Sequence, residues 1–357
     1  MPKVNSFLAV ILAAAVFFES PMFAAKKDKK AAGKGDQKAA TRVFADEPDW
    51  LYAKPSAYPD SRYMTASGSA HSQDSADNDA FINFAAIFSQ IISSNENANR
   101  KMAQGKEGQV SKEASWEQNA NFRVDSSELI GVEIKARFFD GIKWHSLAVM
   151  DKEEASKLYK AAFDANNKEI ERLEAYTKNN TIDRFANLFI AQDKAVQNKK
   201  LLDRLFVINS GLAKSLSSKS PQEIRAQRIE VAKKIPVYLS VKGDKDSMAY
   251  SALCQLLNDF GFRLSKSSGE RYSLAADFSF EQKLSKDKES WQTFFAVTCS
   301  LNDSSTSGSL WSESIKGRAA SFSPDDSLDR AKRALEKKVD SDLALSFANF
   351  LRGGVKE

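Results

Sequence analysis

The chain has 357 residues, a formal charge of +5 at pH 7, two cysteines and two histidines. That length holds two or three domains, and two histidines without Cys-x-x-Cys or His-Glu-x-x-His spacing exclude the usual zinc and transition-metal sites. The charge excess is confined to residues 26–42, where seven lysines and arginines meet two aspartates, so no basic folded face interleaved with aromatics points to nucleic acid.

Lys3, the apolar run Phe7 to Phe18, and Ala24-Ala25 make a basic start, a greasy centre and a small-residue end. This is the pattern of a secretory signal peptide over residues 1–25. The run rises only about 18 Å as helix, against a hydrocarbon layer roughly 30 Å thick. No cysteine follows the expected cut, so the expectation is an exported periplasmic protein without a lipid anchor. Residues 26–47 read as a basic linker, which either touches acidic phospholipid headgroups or is a solvated spacer.

The segment 48–151 reads as an αβ domain. Asp46 to Tyr63 carries prolines and aromatics and suits an extended entry segment. A short strand over 62–70 precedes a helix whose Phe81, Phe84, Ala85, Phe88, Ile91 and Ile92 recur at spacings of three and four. A polar loop over 93–110 and a strand near Trp116 to Val124 follow. Ile130, Val132, Ile134, Ala136 and Phe138 then alternate with Gly131, Glu133, Lys135 and Arg137, the period of a half-buried strand. Asp140-Gly141 supplies a two-residue hairpin turn. That register sets His145 opposite Ala136 and Trp144 opposite Arg137 in a cation–π contact. Asp151 caps the next helix.

Residues 152–234 read as a helical hairpin, with apolar residues at helical spacing on either side of Asn179-Asn180. A second αβ domain spans 235–357. Val237, Leu239 and Val241 alternate as a strand, a helix ends at Gly261, and three strands fall within 272–321. Ser323-Pro324-Asp325-Asp326 opens the last helix with a hydroxyl cap, an N1 proline and first-turn acids. The expected fold is α+β: two αβ modules with mostly antiparallel sheets, joined by a long helical hairpin.

The segments PDWL (48–51), YMTASGSA (63–70), the alanine-rich helix through Ile92, LIGVEIKARFFDG (129–141) and HSLAVMDKEEASKLY (145–159) occur in an order that resembles the twenty-kilodalton LPP lipoprotein family over residues 48–165. The resemblance implies an outer-membrane-associated envelope protein, in some members tied to flagellar or outer-membrane assembly, with no enzymatic activity established across the family. The chain departs from it in lacking the lipidated cysteine. IPVYLSV, LLNDFGF and SLWSESIKG make the C-terminal module loosely similar to αβ domains of periplasmic assembly lipoproteins, such as the curli secretion-channel subunit and activators of penicillin-binding proteins.

Candidate chemistry is sparse. His71 reads as a surface residue and His145 as a partly buried structural one. Glu153, Glu154, Asp325 and Asp326 sit where helix dipoles favour acids. Ser285 and Lys288 have Ser-x-x-Lys spacing in a charged strand tip, where the lysine stays solvated. No catalytic residue, metal or cofactor is expected. Cys254 and Cys299 either bond across a helix–sheet interface or stay separate thiols. Trp50, Tyr52, Tyr58, Tyr63, Phe138, Phe139 and Trp144 either pack on their own sheet or form a docking patch. The resulting expectation is a non-enzymatic envelope scaffold or assembly factor, a homo-oligomer or a partner of other envelope proteins. The alternative is a module that binds peptidoglycan by stacking sugars on Trp50, Tyr52 or Trp144.

Overall fold

The computed structural model describes residues 47–104, 125–176, 181–243, 248–286, 289–306 and 308–353. The expected leader and linker, and the strand expected near 116–124, lie outside the described residues. The described parts from Glu47 onward belong to one compact unit.

Period-two apolar runs build a three-stranded sheet from β1 (Tyr63–Ala70), β2 (Val132–Phe139) and β3 (Trp144–Asp151), antiparallel in the order β1-β3-β2. Helix α1 (Gln73–Gln104) buries Ala76, Ala80, Phe84, Ala85, Phe88 and Ile92. It runs past the polar loop expected at 93, because Asn, Glu, Lys and Gln without proline add turns at little cost once a helix is nucleated. Gly68 permits the close approach of α1 to β1: a Cβ there would stand 2.1 Å from the Ala80 nitrogen.

The period of β2 is as expected, but its faces are not. A bulge between Ile134 and Ala136 adds one residue, which inverts every side chain beyond it. Val132 and Ile134 lie with Ala148 and Met150 in the α1-side core, whereas Ala136 and Phe138 pack with Leu147, Val149 and Trp50 on the opposite face. The sheet is therefore covered on both sides.

Helix α2 (Lys152–Glu174) begins at Asp151, whose carboxylate accepts from the Glu153 amide at 2.9 Å. Helix α3 (Ile182–Ile208) follows, then α4 (Ser210–Ser215) and α5 (Pro221–Ala232), the last opened by a Ser220/Glu223 capping box. The helical segment reaches into both cores. Tyr159, Phe163, Leu201 and Leu205 complete the N-terminal core, while Ile182, Phe185, Phe189 and Ala232 complete the C-terminal one. A buried tyrosine hydroxyl fastens each side, Tyr159 accepting from the Ile130 amide at 3.2 Å and Tyr272 from the Ile182 amide at 3.3 Å.

The second sheet comprises β4 (Pro236–Lys242), β5 (Arg263–Ser265), β6 (Tyr272–Leu284), β7 (Trp291–Asp303) and β8 (Gly308–Ser321), in the order β5-β4-β6-β7-β8. It is mixed: β4 runs parallel to both neighbours, and the rest is antiparallel. Helix α6 (Met248–Asp259) returns the chain from β4 to β5, and such a helical crossover makes neighbours parallel. Strand β5 was not expected, since three residues are too few to show a period.

The last helix starts as expected, with Ser323 accepting from the Asp326 amide at 3.2 Å. It is α7 (Pro324–Lys338) and α8 (Ala344–Gly353), with a π-helical turn at Val339–Leu343 between them. The buried positions Ala331, Leu335, Val339, Leu343, Phe347 and Leu351 recur every four residues. That spacing drifts around a helix of 3.6 residues per turn, and the wider turn brings the stripe back onto the sheet. The fold is α+β.

Candidate functional site

The β2–β3 hairpin collects most of the rings expected to form a patch. Its loop is longer than the two-residue turn expected at Asp140-Gly141. Phe139 pairs with Trp144 and Phe138 with His145, leaving Asp140 to Lys143 as the connection. Asp140 is the reason. Its Oδ1 accepts from the Ile142 and Lys143 amides, both at 2.7 Å, its own amide donates to the Lys143 carbonyl at 3.1 Å, and its Oδ2 meets His145 Nε2 at 2.9 Å. Gly141, at φ 93°, takes the left-handed position. The hydrogen bond with His145, followed by those from Lys143 and Ile142, draws the Asp140 carboxyl down to about 2.

This register overturns the expected pairs. His145 does not face Ala136, and Trp144 does not face Arg137. The bulge and the longer loop turn Arg137 toward α1, where Nε and Nη2 hold both oxygens of Asp77 at 2.8–3.1 Å. Ser146, opposite Arg137, donates to Asp77 Oδ1 at 2.5 Å. Trp144 instead lies against Phe139, with ring centroids 5.2 Å apart.

The candidate rings divide accordingly. Trp50 is buried on Leu147 and Val149, so it offers no face for docking or for stacking a sugar; this corrects its place in the expected patch. Tyr58 and Tyr63 meet edge to face at 5.2 Å, half-buried beside it, and Phe138 is half-buried on the same side. Tyr52 (77% exposed), Phe139 (47%) and Ile142 (74%) remain open, with Trp144 half-buried among them. Ile142 was not anticipated, because a turn residue carries no periodic signal. The Tyr52 hydroxyl bonds Glu47, whose carboxylate raises its pKa, and the Asp140 carboxylate contributes in the same sense. The hairpin end presents apolar rings around a fixed carboxylate–imidazole pair, and Tyr52 stays exposed on the entry segment whose Trp50 packs on β3.

Other candidates resolve structurally. His71 is exposed. Glu153 and Glu154 share Lys157, and Asp326 lies in the first turn of α7. Lys288 lies outside the described residues. Cys254 and Cys299 are free thiols in this structure. Cys299 is sealed in β7, where burial pushes its thiol up to about 12, and Cys254 on α6 exchanges a hydrogen bond with Tyr250. Among the described residues no group of three or more His, Cys, Asp or Glu could hold a metal ion, and no helix is long and apolar enough to cross a membrane. A cleft of about 180 Å³ opens between α1 and α3, lined by Ile92, Leu202, Phe206 and Ala213. Small-molecule sites are usually larger.

No family model matches the chain, and no curated protein matches it. Among solved structures, the chain is similar to the secreted protein HP1454 of Helicobacter pylori, at 13% identity over 80% of this chain and 97% of that one, with a TM-score of 0.46. Smaller likenesses are a minor lipoprotein from Acinetobacter baumannii (15% identity, 33% of this chain and 90% of that one, TM-score 0.25) and lipoprotein GNA1162 from Neisseria meningitidis (14%, 31% and 99%, TM-score 0.22).

Proposed function

We propose that this is an exported, non-enzymatic envelope protein that docks another envelope protein through the end of its β2–β3 hairpin. The observation that carries this reading is the exposure of Phe139 and Ile142 beside Trp144 at a hairpin end locked by Asp140, with Tyr52 exposed on the entry segment. Aromatic and aliphatic side chains held rigidly in the open lose little entropy on docking and anchor interfaces. The basic, apolar and small-residue succession over residues 1–25 supports export. The segment order that resembles the LPP lipoproteins supports the envelope as the compartment and assembly as the role.

A photo-crosslinking residue in place of Phe139 or Ile142 tests it in intact cells. The expected result is a discrete adduct with one envelope protein, absent when the same residue replaces Lys160 on α2 and lost when Tyr52→Ser accompanies it. Identical adducts from all positions would overturn the reading. The peptidoglycan alternative now rests on Tyr52 and Trp144, since Trp50 is covered. Sedimentation with purified sacculi, abolished by Tyr52→Ala, would replace the protein-docking reading with that one.

A further inference from the structure

Arg228 on α5 is a buried cation without a hydrogen-bonding partner. It keeps only 8% exposure, and among the described residues no carboxylate or carbonyl bonds its guanidinium, whose Nε is fully enclosed. Arg204, as buried, has the Glu128 carboxylate and backbone carbonyl, and half-buried Arg184 holds the Leu173 and Glu174 carbonyls. Arg228 instead lies against two rings of α3, its Cζ 4.6 Å from the centroid of Phe189 and 5.3 Å from that of Phe185. Aromatic faces offset part of the charge. They accept none of the in-plane N–H groups of the fork, so the enclosed Nε stays unanswered while the outer end of the fork keeps the residue's remaining exposure.

The surroundings are electropositive. Arg352 on α8 sits with its Cζ 5.2 Å from the same Phe189 centroid and is held by Asp193 at 2.8 Å. Arg225, one turn before Arg228 on α5, acts on it as a like charge, and Asp193 acts as the opposing one. Among the described residues the charges that act on Arg228 are Arg225 and Asp193, and Asp193 is already engaged by Arg352, so Arg228 keeps an unanswered positive charge. The sequence carries a signal of the site: Ile224, Arg228 and Ala232 form the buried stripe of α5, so an arginine occupies a position where the pattern calls for an apolar residue.

We propose that Arg228, with Arg225 one turn before it on α5, is a binding site for a phosphate group. A planar fork of N–H donors matches phosphate oxygens, and the negative charge that every phosphate carries at pH 7 answers the unpaired guanidinium. The proposal is independent of the docking role of the hairpin end. The phosphate comes either from a soluble species or from a phospholipid headgroup.

Calorimetric titration of the full chain with inorganic phosphate, at constant ionic strength against chloride, tests the soluble source. Flotation with phosphatidylcholine vesicles, with and without phosphatidylglycerol, tests the headgroup. Arg228→Met is expected to weaken binding at least about tenfold, the least that losing charge-assisted hydrogen bonds costs. Arg228→Lys, which keeps the charge and loses the fork, should weaken it less. Asp193→Asn, which removes the competing carboxylate, should tighten it, and this variant keeps the proposal testable if Arg228→Met does not fold. Saturable binding of free phosphate identifies a soluble ligand. Binding confined to phosphatidylglycerol vesicles and lost in the Arg228 variants identifies a headgroup. The proposal is overturned if wild type prefers neither probe to its control, or if Arg228→Lys and Asp193→Asn both bind as wild type does.

Discussion

Arg137 on β2 grips Asp77 on α1 through both carboxylate oxygens, at 2.8–3.1 Å, across sixty residues of sequence. Ser146 on β3 completes the clasp at 2.5 Å. The pair exists because the bulge at Lys135 turns Arg137 to the helix side; without that extra residue it would face the entry segment. Arg137 chiefly holds the Asp77 carboxyl below the usual carboxylate range, against the opposing effect of burial, and Ser146 adds a smaller pull in the same sense.

Asp77→Ala is therefore expected to destabilise the protein by about 1–3 kcal/mol, since it strips a charge-assisted pair and leaves the Ser146 hydroxyl unsatisfied. Chemical denaturation of Asp77→Ala, Arg137→Ala and the double variant should give a coupling of at least about 0.5 kcal/mol. Strict additivity would show that the two side chains act independently.

Gly68→Ala should also destabilise, by about 1–3 kcal/mol as in other overpacked sites. The added carbon would meet the backbone of Asp79 and Ala80 and force α1 off β1. Backbone cannot rotate out of the way as a side chain can. Thermal unfolding monitored by circular dichroism checks this, and an unchanged midpoint would refute the tight contact.

The hairpin end should loosen in acid. Asp140 titrates at about 2 in the folded chain against an ordinary value of 3.8. A folded-state value below the unfolded one means stabilisation that is fully present above 3.8 and lost as pH falls through about 2. The Ile142 and Lys143 amide resonances should move together with a midpoint near 2, and Asp140→Asn should abolish that step. A midpoint near 4 would contradict the bonding pattern.

The two thiols should differ sharply in reactivity. Cys299 is buried and its pKa is pushed up to about 12, so it should resist alkylation until the sheet unfolds. Cys254 is half-buried, and burial raises its pKa despite the Tyr250 hydrogen bond. Native-state maleimide labelling followed by mass spectrometry should show slow modification at Cys254 alone. Rapid double labelling would disprove the packing around β7.

What the sequence determined by itself is the local order: the amphipathic stripe of α1, the Asp151 and Ser323 caps, the alternation along β2 and the α+β class. Each of these depends on residues within one or two turns of each other, where backbone geometry imposes the spacing. Tertiary structure decided the rest. Period two places neighbouring side chains on opposite faces but does not say which face, and one bulged residue sent Arg137 to Asp77 and Phe138 to Trp50. The same holds for exposure, since Trp50 and Tyr52 are two residues apart and only Trp50 finds Leu147 and Val149 to cover it. Arg228 is the sharpest case. Its place between Ile224 and Ala232 on α5 follows from helix spacing, but that its guanidinium lies against Phe189 without a carboxylate depends on packing between α3 and α5, which no local pattern encodes.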